Sequence, residues 1–394
     1  VLTGLRQYGL AKDHKPNPLV EMGLFMDTNG IPISMCITPG NANEQTTVLP
    51  LEKELIRMFG DKKNKFIYCA DAGLGSYHIR SYNAMGGRAF IVTQSIKKLS
   101  DKLKEAVFND FEYKLLSDET PVSIEAMKQF DKADPKNLAL YRDTAYKVID
   151  ADTLMDVGLS EEKVFANGKK RNVKSKAVLK QHVIITFSRK SFEYQRFIRN
   201  RQIERAKKIL ENLEPDEYKK GPNDVTRFIK KASDSKAQYE IDYEKIAEEE
   251  KYDGFYAIAT NLNDEAKEIL AINAQRYKIE ECFRILKNDF ISRPYFHRTR
   301  KRIIAHFMIC YTALLIYRLL EVKLNRYDKN QHFTTRNIIE TLQNMEVANI
   351  GDLYYSAQYT GSQVLNALEA CFQLGLNRKY YLPKNLNAIC RKKV

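Results

Sequence analysis

The chain has 394 residues, 44% of them hydrophobic, which allows two or three domains, or one core with a large insertion, and excludes a disordered chain. Its net charge of +14 and pI near 9.2 point to a polyanionic partner, most often nucleic acid. Six scattered cysteines (Cys36, Cys69, Cys282, Cys310, Cys371, Cys390) form no C-x-x-C pair, so they suggest neither a zinc ribbon nor a disulfide framework and fit a reducing compartment.

No secretory leader is read, and the expected location is the bacterial cytoplasm, associated with the nucleoid. Residues 303–320 are apolar enough to raise a membrane question. They contain His306 and Arg318 and follow an Arg/Lys cluster, so a buried helix is expected there, with no membrane partner.

Residues 1–17 are polar, basic and punctuated by Gly and Pro, and read as a loop. An exposed basic loop is the default reading of His14 with Lys12 and Lys15. Two apolar runs at 19–26 and 31–37 flank Asp27-Thr28-Asn29-Gly30, and Asn-Gly between such runs predicts a hairpin. A helix follows at about 44–59, a strand at 65–70 ending in Asp71-Ala72-Gly73, a helix at 76–84 and a strand at 88–93. The order ββαβαβ predicts an α/β fold, a mixed sheet with helices on its faces.

From about 98 to 250 that rhythm stops. This stretch reads as an α+β insertion with one clear strand at 182–187 and a basic helix from about Ser191 to Leu213. Between Lys169 and Lys231 there are 19 Lys/Arg against 7 Asp/Glu, a net of +12. This is either a solvated helix surface or a face that tracks a DNA backbone. The core resumes at 251–328 with a strand at 252–260 and two helices; 329–394 reads as a small helical appendix.

The first of those helices runs into residues 276–287, where the chemistry could sit. Ile279, Phe283, Leu286 and Phe290 recur at steps of 4, 3 and 4, an apolar helical stripe. Arg276, Glu280, Arg284 and Lys287 line a second stripe beside it. One reading is an amphipathic helix with i,i+4 ion pairs; the other is a metal-binding Glu with phosphate-binding neighbours. Glu281 lies a step further round and is expected to be a solvated charge. Asp71 ends an apolar strand, where side chains converge on ligands in α/β sheets, although an Asp there also serves as a cap. Two carboxylates, Asp71 and Glu280, could share Mg²⁺ (or Mn²⁺), which takes hard oxygen ligands and keeps open positions. His306, inside an apolar run, is expected to be a core histidine.

The strand Cys69-Ala70-Asp71-Ala72-Gly73 and the spacing Arg276-x3-Glu280-x6-Lys287 resemble the DDE transposases of bacterial insertion sequences. Those enzymes carry Tyr-x2-Arg-x3-Glu-x6-Lys on their last catalytic helix; here Asn273 stands at the Tyr position. The turn Pro39-Gly40-Asn41, the strand at 254–260 and the step Arg293-Pro294 extend the likeness over most of the chain. The resemblance implies an RNase H-like catalytic core with a large insertion. It makes Asp71 and Glu280 the second and third metal-binding carboxylates, with Arg276, Lys287 and Arg284 on DNA phosphates. It also implies double-stranded DNA (element ends and target) as partner, a homodimer in the active complex, and cleavage followed by strand transfer.

The family's first Asp lies on a central strand before a loop like residues 4–17. The expectation is that it lies upstream of Val1; within the chain only Asp27 is a candidate, and Asp is favoured in a turn on its own account. Without that strand the chain is expected to be poorly stable and inactive. A non-catalytic DNA-binding relative and a nuclease of the same fold are the competing functions.

Overall fold

A computed structural model describes residues 4–9, 17–59, 66–164, 170–211, 224–232, 239–327 and 331–392. The chain runs β1 (Val20–Met26), β2 (Pro32–Pro39), α1 (Glu44–Phe59), β3 (Ile67–Ala70), α2 (Tyr77–Asn83), β4 (Ala89–Thr93), β5 (Lys114–Leu115), β6 (Ala145–Val164) and β7 (Lys170–Phe187). It continues with α3 (Arg189–Glu211), β8 (Phe255–Thr260), α4 (Ala266–Ala274), α5 (Tyr277–Arg284), α6 (Arg300–Tyr327), α7 (Thr335–Gln343) and α8 (Gln363–Phe372), with shorter helices, strands and turns between. The protein is a mixed α/β structure. It divides into two compact units: Val1–Leu55 with Gln275–Val394, and Ile56–Ala274. These limits fall elsewhere than the boundaries read at 97, 250 and 328.

The unit Ile56–Ala274 is built on a six-stranded sheet in the order β3-β4-β8-β7-β6-β5. β3 and β4 are parallel, and every other pair is antiparallel. Phe90, Ile91, Val92, Ile258 and Ala259 are fully buried, as expected for strands covered on both faces. On one face Ile269 of α4 packs with Ala89, Ile91, Ile184 and Ile258. An edge-to-face aromatic cluster includes Phe187 with Phe255 and Phe255 with Phe108.

The region read as an insertion supplies β5, β6 and β7 to this same sheet, with β7 paired directly to β8. Only residues 182–187 were legible as strand. The rest of the β6–β7 hairpin is rich in Lys, Asp and Glu, so period-2 alternation is masked by polar residues. The hairpin β1–β2 does not join a larger sheet; among the described residues it pairs with itself, plus one bridge between Gln7 and Leu19.

In the unit Val1–Leu55 with Gln275–Val394, Cys282, Ile285 and Leu286 pack with Leu314, Tyr317 and Leu324 of α6. Ile338 of α7, Val364, Leu365 and Leu368 of α8, and Leu24 of β1 complete that core. The tail is therefore part of the core. It is also not purely helical: Val347–Ile350, Tyr354–Ala357 and Tyr380–Tyr381 form a three-stranded sheet, each strand too short to show a period. α6 is long and apolar enough to cross a membrane by length and composition. Its buried side, from Ile303 through Phe307, Cys310 and Leu314 to Leu324, recurs at helical spacing and includes the charged Arg318 and Glu321.

Candidate functional site

Asp71 stands at the end of β3 and caps a 3₁₀ turn, Ala72–Leu74. Its Oδ1 accepts from the Gly73 amide at 2.9 Å and the Leu74 amide at 3.2 Å. The capping role weighed from sequence is thus real, but it uses one oxygen only. Oδ2 has no hydrogen-bond partner among the described residues, and the side chain is exposed. The turn carrying Asp71 is tied down by Arg80 of α2, whose Nε donates to the Gly75 carbonyl at 2.9 Å. Arg80 Nη1 donates to Gln94 Oε1 and to Gln181 Oε1, each at 3.0 Å. This guanidinium is 4% exposed, and these three partners are all neutral oxygens; burial lowers its pKa to about 10. Gly75 sits against Val92 so closely that a Cβ would overlap its Cγ1. Arg80 was missed in the sequence because its partners lie 14 and 101 residues away.

Glu280 belongs to the other unit, on α5. Its side chain is exposed and has no ion pair or hydrogen bond among the described residues. Arg276 precedes the first residue of α5 and is half-buried. Lys287 lies over the Phe283 ring, 5.6 Å from its centroid. The single helix read over 276–287 is instead α5 followed by a π-helical turn, Ile285–Asp289, with the Phe290 amide donating to the Ile285 carbonyl at 3.0 Å. The wider turn sets Lys287 back from the position that an unbroken helix would give it. Arg284 is engaged locally: its guanidinium is 3.7 Å from both Glu281 and Asp289 and donates to Thr335 Oγ1 at 3.3 Å.

Glu281 is not the solvated charge expected. Its side chain is 29% exposed and accepts from Arg318 Nη1 at 2.9 Å. Arg318, 3% exposed, also pairs with Glu321 at 2.6 Å and donates from Nε to the Gly30 carbonyl at 3.0 Å. Lys278 Nζ donates to the Thr28 carbonyl at 2.7 Å, so α5 and α6 together clamp the hairpin turn. Burial opposes the Arg318 charge, but Glu321 and then Glu281 outweigh it and hold its pKa above the ordinary value. Burial raises the Glu321 pKa, more than Arg318 lowers it. Burial also pushes the Cys282 thiol up to about 11 and, with Arg318 nearby, lowers Lys278. The signal for this cluster was present: Arg318 and Glu321 are an i,i+3 charged pair inside an apolar run.

Asp27 is consumed by the turn it opens. Its Oδ1 accepts from the Asn29 amide at 2.9 Å and the Ile31 amide at 2.8 Å, and its Oδ2 from Asn29 Nδ2 at 3.2 Å. His306 Nε2 lies 2.9 Å from the Ser292 carbonyl, and its ring packs on Tyr295 and Phe307, a core setting. His14, Lys12 and Lys15 lie outside the described residues.

Mg²⁺ needs hard oxygen donors, and Asp71 Oδ2 and the Glu280 carboxylate are of that kind. Among the described residues there is no group of three or more His, Cys, Asp or Glu placed to hold a metal. No family model matches this chain, and no curated protein matches it either.

Proposed function

We propose that this protein is a DDE-type DNA transposase of the insertion-sequence kind, with an RNase H-like catalytic core. One observation carries the reading. Of the three carboxylates weighed for metal binding, Asp27 is spent on structural bonds, as is Glu281 beside Glu280, while the Glu280 carboxylate and Asp71 Oδ2 are exposed and have no bond among the described residues. Those two are the residues that the family motif selects. The family's first strand would pair along the outer edge of β3, which carries no partner among the described residues.

In this reading Asp71 and Glu280 are each, within its own unit, a carboxylate ligand for Mg²⁺ or Mn²⁺, which when bound would activate an attacking hydroxyl and stabilise the leaving oxygen of a phosphodiester. Lys287, a point charge, and Arg276, a planar fork, hold phosphates beside the scissile bond. Arg80 keeps the Asp71 turn fixed through the Gly75 carbonyl, so that Oδ2 is presented without a conformational search. Double-stranded DNA is the substrate, two copies of the chain act on two element ends, and the setting is the bacterial cytoplasm.

The test is cleavage and joining of the DNA ends that flank the gene, by the protein encoded in its full open reading frame, with Mg²⁺ present. Joined products from a precut end are expected. Nicking without joining would identify a nuclease of the same fold, and salt-sensitive binding without either reaction would identify a DNA-binding relative.

A further inference from the structure

We infer that the unit Ile56–Ala274 binds a small phosphate monoester in a cleft on its sheet, beside the N-terminus of the helix Asp101–Phe108. The inference uses neither Asp71 nor Glu280 and does not depend on the proposed DNA chemistry.

The cleft encloses about 790 Å³, the size of small-molecule sites. It lies past the end of β8, which pairs with β7 only as far as His182, so that β7 runs on there beside β6 alone. The buried Ala151 and Leu179 give it an apolar floor. Ala84, at the end of α2, and Leu103 add apolar sides, and Ser100 and Lys102 bring the first turn of the helix Asp101–Phe108 to the same space.

Three observations point to an anion. Gln181, which lines the cleft, is 5% exposed; its Oε1 accepts from Arg80, and its Nε2 has no hydrogen-bond partner among the described residues. Unmatched buried donors are rare in folded proteins, and an acceptor atom of a ligand would match this one. Arg80, itself 4% exposed, donates to the neutral oxygens of Gly75, Gln94 and Gln181 and pairs with no carboxylate among the described residues. Its donors are answered but its charge is not, and an anion against Gln181 supplies that charge one hydrogen bond away. The lowered pKa of Arg80 has the same origin, a buried cation without a counter-charge. Third, Ser100 Oγ accepts from the Leu103 amide at 3.4 Å, and the other first-turn amides have no acceptor within the helix, so this helix end and Lys102 favour negative charge. The carboxylates that adjoin these groups are engaged: Asp101 with Lys104 at 3.1 Å, and Asp150 with His182 at 2.6 Å. Donors from a side-chain amide, an ammonium and a helix end suit the spread oxygens of a phosphate, and the apolar walls leave room for a compact organic body attached to it.

Calorimetric titration of the full protein with phenyl phosphate, inorganic phosphate and phenol tests this. Phenyl phosphate should bind saturably and more tightly than inorganic phosphate, and phenol should not bind. Gln181→Glu keeps the oxygen that Arg80 uses and puts a carboxylate oxygen where the free donor was. It should weaken phenyl phosphate roughly 10- to 150-fold, and, by giving Arg80 a counter-charge, should not lower the thermal midpoint. Lys102 is exposed, so Lys102→Met leaves the fold intact and should also weaken binding. Lys176→Met, which removes an exposed charge of β7 outside the cleft, should not. The inference is overturned if phenyl phosphate does not bind, or binds undiminished to the Gln181→Glu and Lys102→Met proteins. Equal affinity for inorganic phosphate overturns the ester, and equal weakening by Lys176→Met reduces the site to general charge attraction. Displacement of phenyl phosphate by duplex DNA would also overturn it, by making the cleft part of a DNA surface.

Discussion

Replacing Arg318 by Met should be among the most damaging single changes in the unit Val1–Leu55 with Gln275–Val394. The guanidinium is 3% exposed and makes ion pairs at 2.9 Å to Glu281 and 2.6 Å to Glu321, with a further bond to the Gly30 carbonyl. Met fills much of the space, so the loss is chiefly electrostatic. Glu321, 6% exposed, is left with Tyr317 as its remaining hydrogen-bond donor at 3.0 Å. Breaking a buried pair on one side costs about 3–5 kcal/mol, and the partly exposed Glu281 adds little to that. The Glu321 pKa is already above its ordinary value, and removing Arg318, which lowers it, raises it further. A carboxyl with a raised folded-state pKa burdens the fold above that pKa and costs nothing below the unfolded value. The deficit should therefore be larger at pH 7 than at pH 5. Urea denaturation followed by circular dichroism at both pH values, with hydrogen exchange at the Gly30 amide, measures it. A loss below about 1 kcal/mol at pH 7, or the same loss at both pH values, would refute the reasoning. The triple change Arg318→Met, Glu281→Gln, Glu321→Leu should recover most of the stability, since no charge is then stranded.

Two other outcomes are expected. Asp27→Ala removes two backbone bonds from the hairpin turn and should cost about 1–2 kcal/mol in thermal denaturation, while leaving metal-dependent cleavage at the parent rate. Arg80→Met unties Gly75 and leaves Gln94 and Gln181 short of a donor; it should cost roughly 1–3 kcal/mol and weaken Mn²⁺ binding at Asp71, read by titration.

The hairpin, α1, β3 and β4 were legible because their signals are local: Asn29-Gly30 for the turn, and apolar runs bounded by turn residues for the strands. Asp71 and Glu280 were legible as candidates for the same reason, since strand end and helix stripe are read within a few residues. What the sequence hid is long-range. Arg318 reaches Gly30 across 288 positions, and Arg80 reaches Gln181 across 101. Without those contacts Glu281 looks like a surface charge, and Glu281→Gln looks neutral. With the Arg318 pair in place, Glu281→Gln should lower stability without abolishing chemistry. β6 was hidden for a different reason: a long hairpin strand rich in charged residues shows little of the alternation that marks a half-buried strand. The π-helical turn after Arg284 could not be read either, because the 3.6-residue period assumed for the stripe is the quantity that changes there.

The most direct test of the account is metal-dependent cleavage of the element's own ends by the full-length protein, parent against Glu280→Gln and Asp71→Asn, with Asp27→Ala as control. The account predicts that the first two lose cleavage by orders of magnitude and lose Mn²⁺ binding, yet retain salt-sensitive DNA binding, while the third cleaves normally. Cleavage that survives Glu280→Gln would contradict it.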